Sequence, residues 1–387
     1  MTTYRPLDTA ERLLMGPGPS SIHPRVYRAL AAPVVGHLDP QFLEIMEENK
    51  TLLQEVFQTG NRLTIPISGT GSAGMETCLV NVIEPGDRVL ICINGVFGQR
   101  MLDVAQRCGA EVDTVEAPWG EPIPPEKIGE ALNEGEYKVV GIVHAETSTG
   151  VLQPLAETAG LVRESGALFL VDTVTSLGGV KVAVDEWNID LCYSGTQKCL
   201  SCPPGLAPIT LSERAVDVLR QRTNKVQSWY LDLSMLEKYW GEERVYHHTA
   251  PISMNYALRE ALLLIHEEGL ESRWQRHLVN HQALVRGVEA MGLEMAVAPE
   301  FRLPSLNTVK IPEGVDDPRV RGHLLEAFNL EIGGGLGDFK GKVWRVGLMG
   351  HSSTKENIAY LLMALGDAMR EQGTDLDVGA GVKAALE

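Results

Sequence analysis

The chain has 387 residues, 44% of them hydrophobic, with 51 acidic against 34 basic side chains and a formal charge of -17. That supports two domains, or one large domain with an appendage, and the acidic excess argues against nucleic acid or an anionic membrane surface as a broad partner. No run approaches the roughly 20 apolar residues of a membrane span, the opening residues lack the basic-then-apolar order of a signal peptide, and the six cysteines (Cys78, Cys92, Cys108, Cys192, Cys199, Cys202) lie mostly in apolar segments as reduced thiols would, so a cytoplasmic protein is expected.

Residues 1–20 read as an extended arm ending in Gly16-Pro-Gly-Pro-Ser20, a run that cannot continue a helix. Asp39-Pro40 suits the cap and first position of a helix whose apolar face is Leu43, Met46, Leu53, Val56 and Phe57. From about 62 to 211, β-rich runs at 63–67, 88–93, 111–115, 138–143, 167–171, 189–193 and 206–211 are spaced by helical patterns near 72–84, 98–109, 124–134 and 155–165. This alternation predicts an α/β fold with a mostly parallel, seven-stranded sheet, in which ligands collect at the carboxyl ends of the strands. Beyond 255 the pattern is long and helical, with a break at Gly269, then short strands such as 342–346 and a helix near 354–371. The expected division is an arm (1–20), a large domain (21–265) and a smaller α+β C-terminal domain (266–387), with a frayed tail after Gly373.

Four places could carry chemistry. Ser68-Gly69-Thr70-Gly71-Ser72-Ala73-Gly74 has the spacing of a phosphate-binding loop between a strand and a helix. A dinucleotide reading wants an acidic residue after the next strand, which ends instead in Asn94-Gly95, so a single-phosphate cup with the Thr70 and Ser72 hydroxyls fits better. Asp172 stands at the mouth of the apolar run Ala167-Leu-Phe-Leu-Val171, either as a capping or loop carboxylate or as the partner of a protonated pyridine nitrogen. Lys198, in Tyr193-Ser-Gly-Thr-Gln-Lys198, is either a surface lysine or an amine that loses its proton and bonds a carbonyl. On adjacent strand ends, Asp172 and Lys198 would reach opposite sides of one planar cofactor. Arg345, inside Val343-Trp-Arg-Val-Gly347, reads equally as a solvent-facing or salt-bridged strand arginine and as a bidentate clamp for a carboxylate. Cys199-Leu-Ser-Cys202 finds no second ligand pair and reads as structural; His247 and His248, if extended, point to opposite faces, which leaves the Tyr246 and Thr249 hydroxyls as the better phosphate donors.

Taken in order, these pieces resemble the class V aminotransferases of fold type I, and most closely the alanine–glyoxylate/serine–pyruvate family. The similarity runs from Gly16 to about Gly350 through Val35-Gly36-His37, Ser68-Gly-Thr-Gly71, Leu79-Val-Asn-Val-Ile-Glu-Pro-Gly-Asp87, Asn94-Gly-Val-Phe-Gly-Gln-Arg100, Glu146-Thr-Ser-Thr-Gly-Val-Leu-Gln-Pro154, Val171-Asp-Thr-Val-Thr-Ser-Leu-Gly-Gly179, Tyr193-Ser-Gly-Thr-Gln-Lys198, Tyr246-His-His-Thr249 and Trp344-Arg-Val-Gly347.

The resemblance implies pyridoxal 5'-phosphate, carried covalently by Lys198, with Asp172 on its ring nitrogen and Thr147 near its phenolic oxygen. Thr70, Gly71 and Gln197 would hold the phosphate. Ser72 stands where relatives often have a histidine in that cup, and Phe97 where they often stack a tryptophan on the ring. Tyr246 and Thr249 would complete the phosphate site from a neighbouring subunit, implying a homodimer. Arg345 would bind the substrate carboxylate, with Gly18 and Thr147 beside it. The implied reaction moves an amino group from a small L-amino acid, alanine first and serine next, to glyoxylate. Rival readings are a ureidoglycine–glyoxylate aminotransferase, a branch that tends to carry glutamine where this chain has His37, a cysteine desulfurase, a nicotinamide-dependent oxidoreductase and a non-catalytic scaffold.

Overall fold

The computed structural model describes residues 5–387. Its central sheet is built from β1 (Leu63–Ser68), β2 (Arg88–Ile93), β3 (Glu111–Glu116), β4 (Val139–Val143), β5 (Leu168–Asp172), β6 (Leu191–Tyr193) and β7 (Leu206–Leu211). The spatial order is β1-β7-β6-β5-β4-β2-β3, seven strands, with only β7 antiparallel to its neighbours. Every residue of β4 and β5 is buried, as expected of strands covered on both faces. The edge strand β3 is Glu-Val-Asp-Thr-Val-Glu and largely exposed; its charges blunt an edge that would otherwise invite another strand.

Helices cover the two faces. Pro40–Phe57 (α1) begins where Asp39 accepts the Gln41 amide at 2.9 Å, and Gly71–Val82 (α2), Val96–Arg107 (α3), Pro125–Glu134 (α4) and Ala156–Ser165 (α5) follow successive strands. One apolar cluster joins Ile65, Leu79, Ile91, Met101 and Ile209; a second, on the other face, joins Leu53, Leu90, Val140, Phe169 and Leu262. Because β7 runs back against β6, the connection 194–205 starts and ends at the same edge of the sheet. It therefore stays over the carboxyl ends of the parallel strands, where Lys198 sits.

Helix α6 (Ile252–Glu268) runs unbroken through residue 265 and stops at Gly269, whose φ of 81° is left-handed. Helix α7 (Leu270–Ala290) follows directly. A three-stranded antiparallel sheet, β8 (Leu306–Lys310), β10 (Val343–Gly347) and β9 (Gly333–Gly334) in that spatial order, packs with α7, α8 (Asp317–Phe328) and α9 (Lys355–Arg370) around Trp344, Leu284, Leu324 and Leu362. The tail after Gly373 was expected to fray. It forms α10 (Val378–Leu386) instead, because its glycines let it lie against α7: a Cβ on Gly381 would strike Met291, and Ala385 is buried beside Gly287.

Over residues 5–20 the arm is extended, as its prolines require; residues 1–4 lie outside the described residues. Leu13–Leu14 pairs in parallel with Leu330–Glu331, and the Gly347 amide donates to the Met15 carbonyl at 2.7 Å. Ser20 then reaches the large sheet, with its amide on the Gln197 carbonyl (2.9 Å) and its hydroxyl on the Lys198 carbonyl (2.7 Å). Among the described residues no helix is long and apolar enough to cross a membrane.

Candidate active site

Lys198 is 7% exposed, and its Nζ donates to the Pro17 carbonyl of the arm. Burial pushes its pKa down to about 8, helped by the positive charge of Arg345. Gly18 holds φ +104°, and a Cβ there would overlap the end of the Lys198 side chain; only glycine lets the arm cross so close to the amine.

Asp172, at the end of β5, is 2% exposed. Its Oδ2 accepts the Tyr193 hydroxyl at 2.7 Å and its Oδ1 the Val174 amide at 2.8 Å. Burial nevertheless raises its pKa to about 6, since two neutral donors do not replace full hydration of a carboxylate. No cation stands within ion-pair distance of it among the described residues, so a protonated ring nitrogen would supply the missing counter-charge.

The loop after β1 leads into α2. Thr70 is its exposed N-cap residue and makes no side-chain cap bond; Ser72 is exposed as well. Gly71 is buried against Val174 and Gly195, which brings this helix end to the Asp172 and Lys198 segments. Gln197 Oε1 is buried without a hydrogen-bond partner. An uncapped helix N-terminus with two free hydroxyls suits a phosphate. Asn94, which displaced the ribose carboxylate in the dinucleotide reading, donates to the Glu121 carbonyl at 3.1 Å.

Arg345, on β10, is 6% exposed. Its Nε donates to the Gly334 carbonyl (2.7 Å) and its Nη1 to the Thr147 carbonyl (3.0 Å). It has no carboxylate partner among the described residues, and burial pushes its pKa down to about 10, against the pull of Glu146. Of the two readings left open for this arginine, neither solvent exposure nor a salt bridge holds. The Thr147 hydroxyl meets that of Thr175, beyond the end of β5.

Glu146 emerges as a site residue that the sequence presented only as part of a motif. It is fully buried at the carboxyl end of the β4 segment. Oε1 accepts the Ser148 amide and hydroxyl at 3.0 and 2.6 Å, and Oε2 accepts the Phe97 amide at 3.1 Å. It thus caps α3 from another strand and sets the half-buried Phe97 ring, over which Arg100 lies at 5.0 Å. A Cβ on Gly95 would collide with this carboxyl group, so the residue preceding α3 has to be glycine on grounds of space. A glutamate between a buried strand and small residues was the available signal.

Tyr246 and Thr249 do not join this cluster within the chain. Tyr246 is 56% exposed, its hydroxyl lies 3.4 Å from that of Thr249, and its ring leans on His37 at 5.0 Å. The adjacent histidines depart from expectation. Residues 244–248 are not a strand, and His247 and His248 turn their Nδ1 atoms towards each other at 2.9 Å. His248 also meets Ser68 at 2.7 Å and is pushed down to about 4 by burial, next to His247. No group of three metal-ligating side chains occurs among the described residues.

The buried amine, the unpaired buried carboxylate and the open helix end suit an enzyme that holds a phosphorylated heteroaromatic cofactor. Comparison with known proteins is specific. The family profile Aminotransferase class-V matches residues 24–359. The solved alanine–glyoxylate aminotransferase of Nostoc sp. is 52% identical, with a TM-score of 0.94 over 95% of this chain and 98% of that one. The ureidoglycine–glyoxylate aminotransferase of Bacillus subtilis is 45% identical, with a TM-score of 0.97 over 99% of both chains. The alanine–glyoxylate aminotransferase of Rattus norvegicus is 41% identical over 95% of this chain and 89% of its own. The chain belongs to the class V aminotransferase family. It is an aminotransferase of fold type I, and its cofactor is pyridoxal 5'-phosphate.

Proposed function

We propose that the protein transfers the amino group of a small L-amino acid, alanine first and serine next, to glyoxylate. The observation that carries this reading is Arg345: a buried guanidinium with no carboxylate of its own, near Lys198 and Thr147. It fits the carboxylate common to amino and 2-oxo acids.

Lys198 would carry the cofactor, Asp172 would face its ring nitrogen, and Phe97 would lie on the ring. Thr70, Gly71, Ser72 and Gln197 would hold the phosphate, and Thr147 would stand near the phenolic oxygen. Gly18 and Thr147 would border the substrate held by Arg345. Bound there, pyridoxal phosphate supplies an electron sink that makes the substrate's α-proton acidic. With a pKa of about 8, Lys198 Nζ is neutral often enough near pH 7 to take that proton and give it back as general base and then acid. The Pro17 carbonyl and Gly18 keep that amine under the arm and away from water.

Ureidoglycine is the alternative donor, supported by the 45% identity to the Bacillus subtilis enzyme. A desulfurase role is opposed by the cysteines, all six of which are buried, with Cys199 Sγ on the Thr175 carbonyl. Half-reactions separate the donors. Loaded protein given alanine alone should yield one equivalent of pyruvate, and glyoxylate added next should yield one of glycine. Arg345→Gln should raise KM for both acids by roughly 10- to 100-fold, as loss of a charged hydrogen-bonded pair implies. Pyruvate absent from the first step, with product formed only from ureidoglycine, would displace the alanine reading.

We further propose a homodimer in which Tyr246 and Thr249 of one protomer reach the other's phosphate site. Their exposure supports it, together with that of Val245 (49%) on the same segment and of Trp229 (61%), which stacks on His247. Sedimentation at micromolar concentration should give twice the 42.3 kDa chain mass; a fully active monomer would overturn the shared site.

A further inference from the structure

Beside the Lys198 turn lies a cavity of about 440 Å³, bordered by His23, Leu200, Ser201, Glu268, Arg273 and Arg276. Arg273, near the start of α7, is 5% exposed, and each nitrogen of its guanidinium has a protein partner. Nε donates to the Gly178 carbonyl at 2.9 Å, Nη2 to the Cys199 carbonyl at 2.6 Å, and Nη1 to Glu268 at 2.7 Å.

The two carbonyls belong to the segments that matter most. Cys199 follows Lys198 in the chain, and Gly178 lies in the turn that leaves Asp172. The segments already touch, since a Cβ on Gly179 would press on Cys199 Sγ. The lysine turn is closed by the Ser201 amide on the Lys198 carbonyl (3.0 Å), with Ser201 at φ 51°, a left-handed conformation that a non-glycine residue keeps only when its surroundings impose it. A planar guanidinium with fixed donor directions imposes position on both carbonyls at once, which a flexible ammonium does not.

We propose that Arg273 is a positioning residue, whose guanidinium locks the backbone of the Lys198 turn to the segment following Asp172 and so fixes the spacing of amine and carboxylate across the cofactor. This rests on the roles given to Lys198 and Asp172 above. Arg214 provides a comparison: it too grips one carboxylate, Asp190, and two backbone carbonyls, Gly166 and Ala167, but at the opposite end of β5 from Asp172.

The test compares Arg273→Ala, Arg273→Lys and Arg214→Ala with wild type, as full-length chains. Three quantities are measured: the dissociation constant for pyridoxal phosphate, the visible circular dichroism per bound cofactor, and the melting temperature without cofactor. Arg273→Ala should bind the cofactor roughly tenfold or more weakly and lose visible dichroism. Ethylguanidinium, which enters through the cavity, should restore both. Arg214→Ala should lose melting temperature with cofactor affinity and dichroism unchanged. Equal cofactor effects in Arg273→Ala and Arg214→Ala would overturn the proposal. If Arg273→Ala does not fold, Arg273→Lys decides: it keeps the charge facing Glu268 but not both carbonyls, so wild-type affinity and dichroism in it would overturn the proposal. A folded wild type that takes up no pyridoxal phosphate would instead overturn the reading of Lys198 itself, and the positioning role with it.

Discussion

Lys198→Ala should stop turnover while leaving a folded protein that still binds pyridoxal phosphate through the remaining contacts. The activity loss is expected to be at least roughly 10³-fold, since the variant has no group to move the α-proton. The stability expectation comes from two opposing terms. A lysine whose pKa falls from 10.5 to about 8 on folding penalises the folded state as pH drops through that interval, and the penalty is complete below pH 8. It amounts to roughly 3 kcal/mol, which Lys198→Ala removes. The variant also loses the packing of three buried methylenes, worth about 2 kcal/mol. The terms nearly cancel, so at pH 7 the cofactor-free variant should melt within a few degrees of wild type. Glycine formation rates and thermal melts check both halves. Retention of a tenth of the activity would exclude Lys198 as the proton carrier.

Asp172→Asn should cost roughly 10²- to 10³-fold in activity, the scale of losing a preorganised charge opposite a charge on the cofactor. Its effect on the cofactor-free protein should be the reverse. Folding raises this carboxyl pKa from 3.8 to about 6, mainly by burial. Wild type therefore loses stability as pH rises from about 4 to 6, by roughly 3 kcal/mol, and the loss persists above pH 6. The asparagine amide pays no such penalty and keeps an oxygen for the Val174 amide. The variant should melt higher than wild type at pH 7 and match it near pH 4. A gain that stays the same at pH 4 would show that charge burial is not its source.

Six of the seven strands of the large sheet were legible because each is a short, mainly apolar and mostly buried run between polar turns, while the charged edge strand β3 was legible from its β-branched residues and its place between two helical patterns. Strand–helix alternation then implied parallel pairing, and with it the edge where Asp172 and Lys198 meet. The reversal of β7 was not legible, since an apolar run carries no direction. Glu146 escaped because its role depends on Gly95, 51 positions earlier and joined to it only by the sheet; Arg273 escaped because both carbonyls it holds are backbone. The facing of the His247 and His248 rings was not legible because it depends on a segment that is not extended. The C-terminal helix was missed because its glycines weaken local helix propensity, whereas contact with α7 decides the matter there.

The arm has a bearing on biosynthesis. Leu13 pairs with Leu330, and Met15 accepts the amide of Gly347, so the segment that crosses over Lys198 is tethered by residues more than 300 positions downstream. A nascent chain emerging from the ribosome makes the sheet, Asp172 and Lys198 long before it makes the strands that hold the arm. Contacts of such sequence separation close late, after the loop entropy between them has been overcome. The Leu13–Met15 end of the arm thus stays unfastened while most of the chain is being made, and the cover over Lys198 is completed by nearly the last structure to be synthesised.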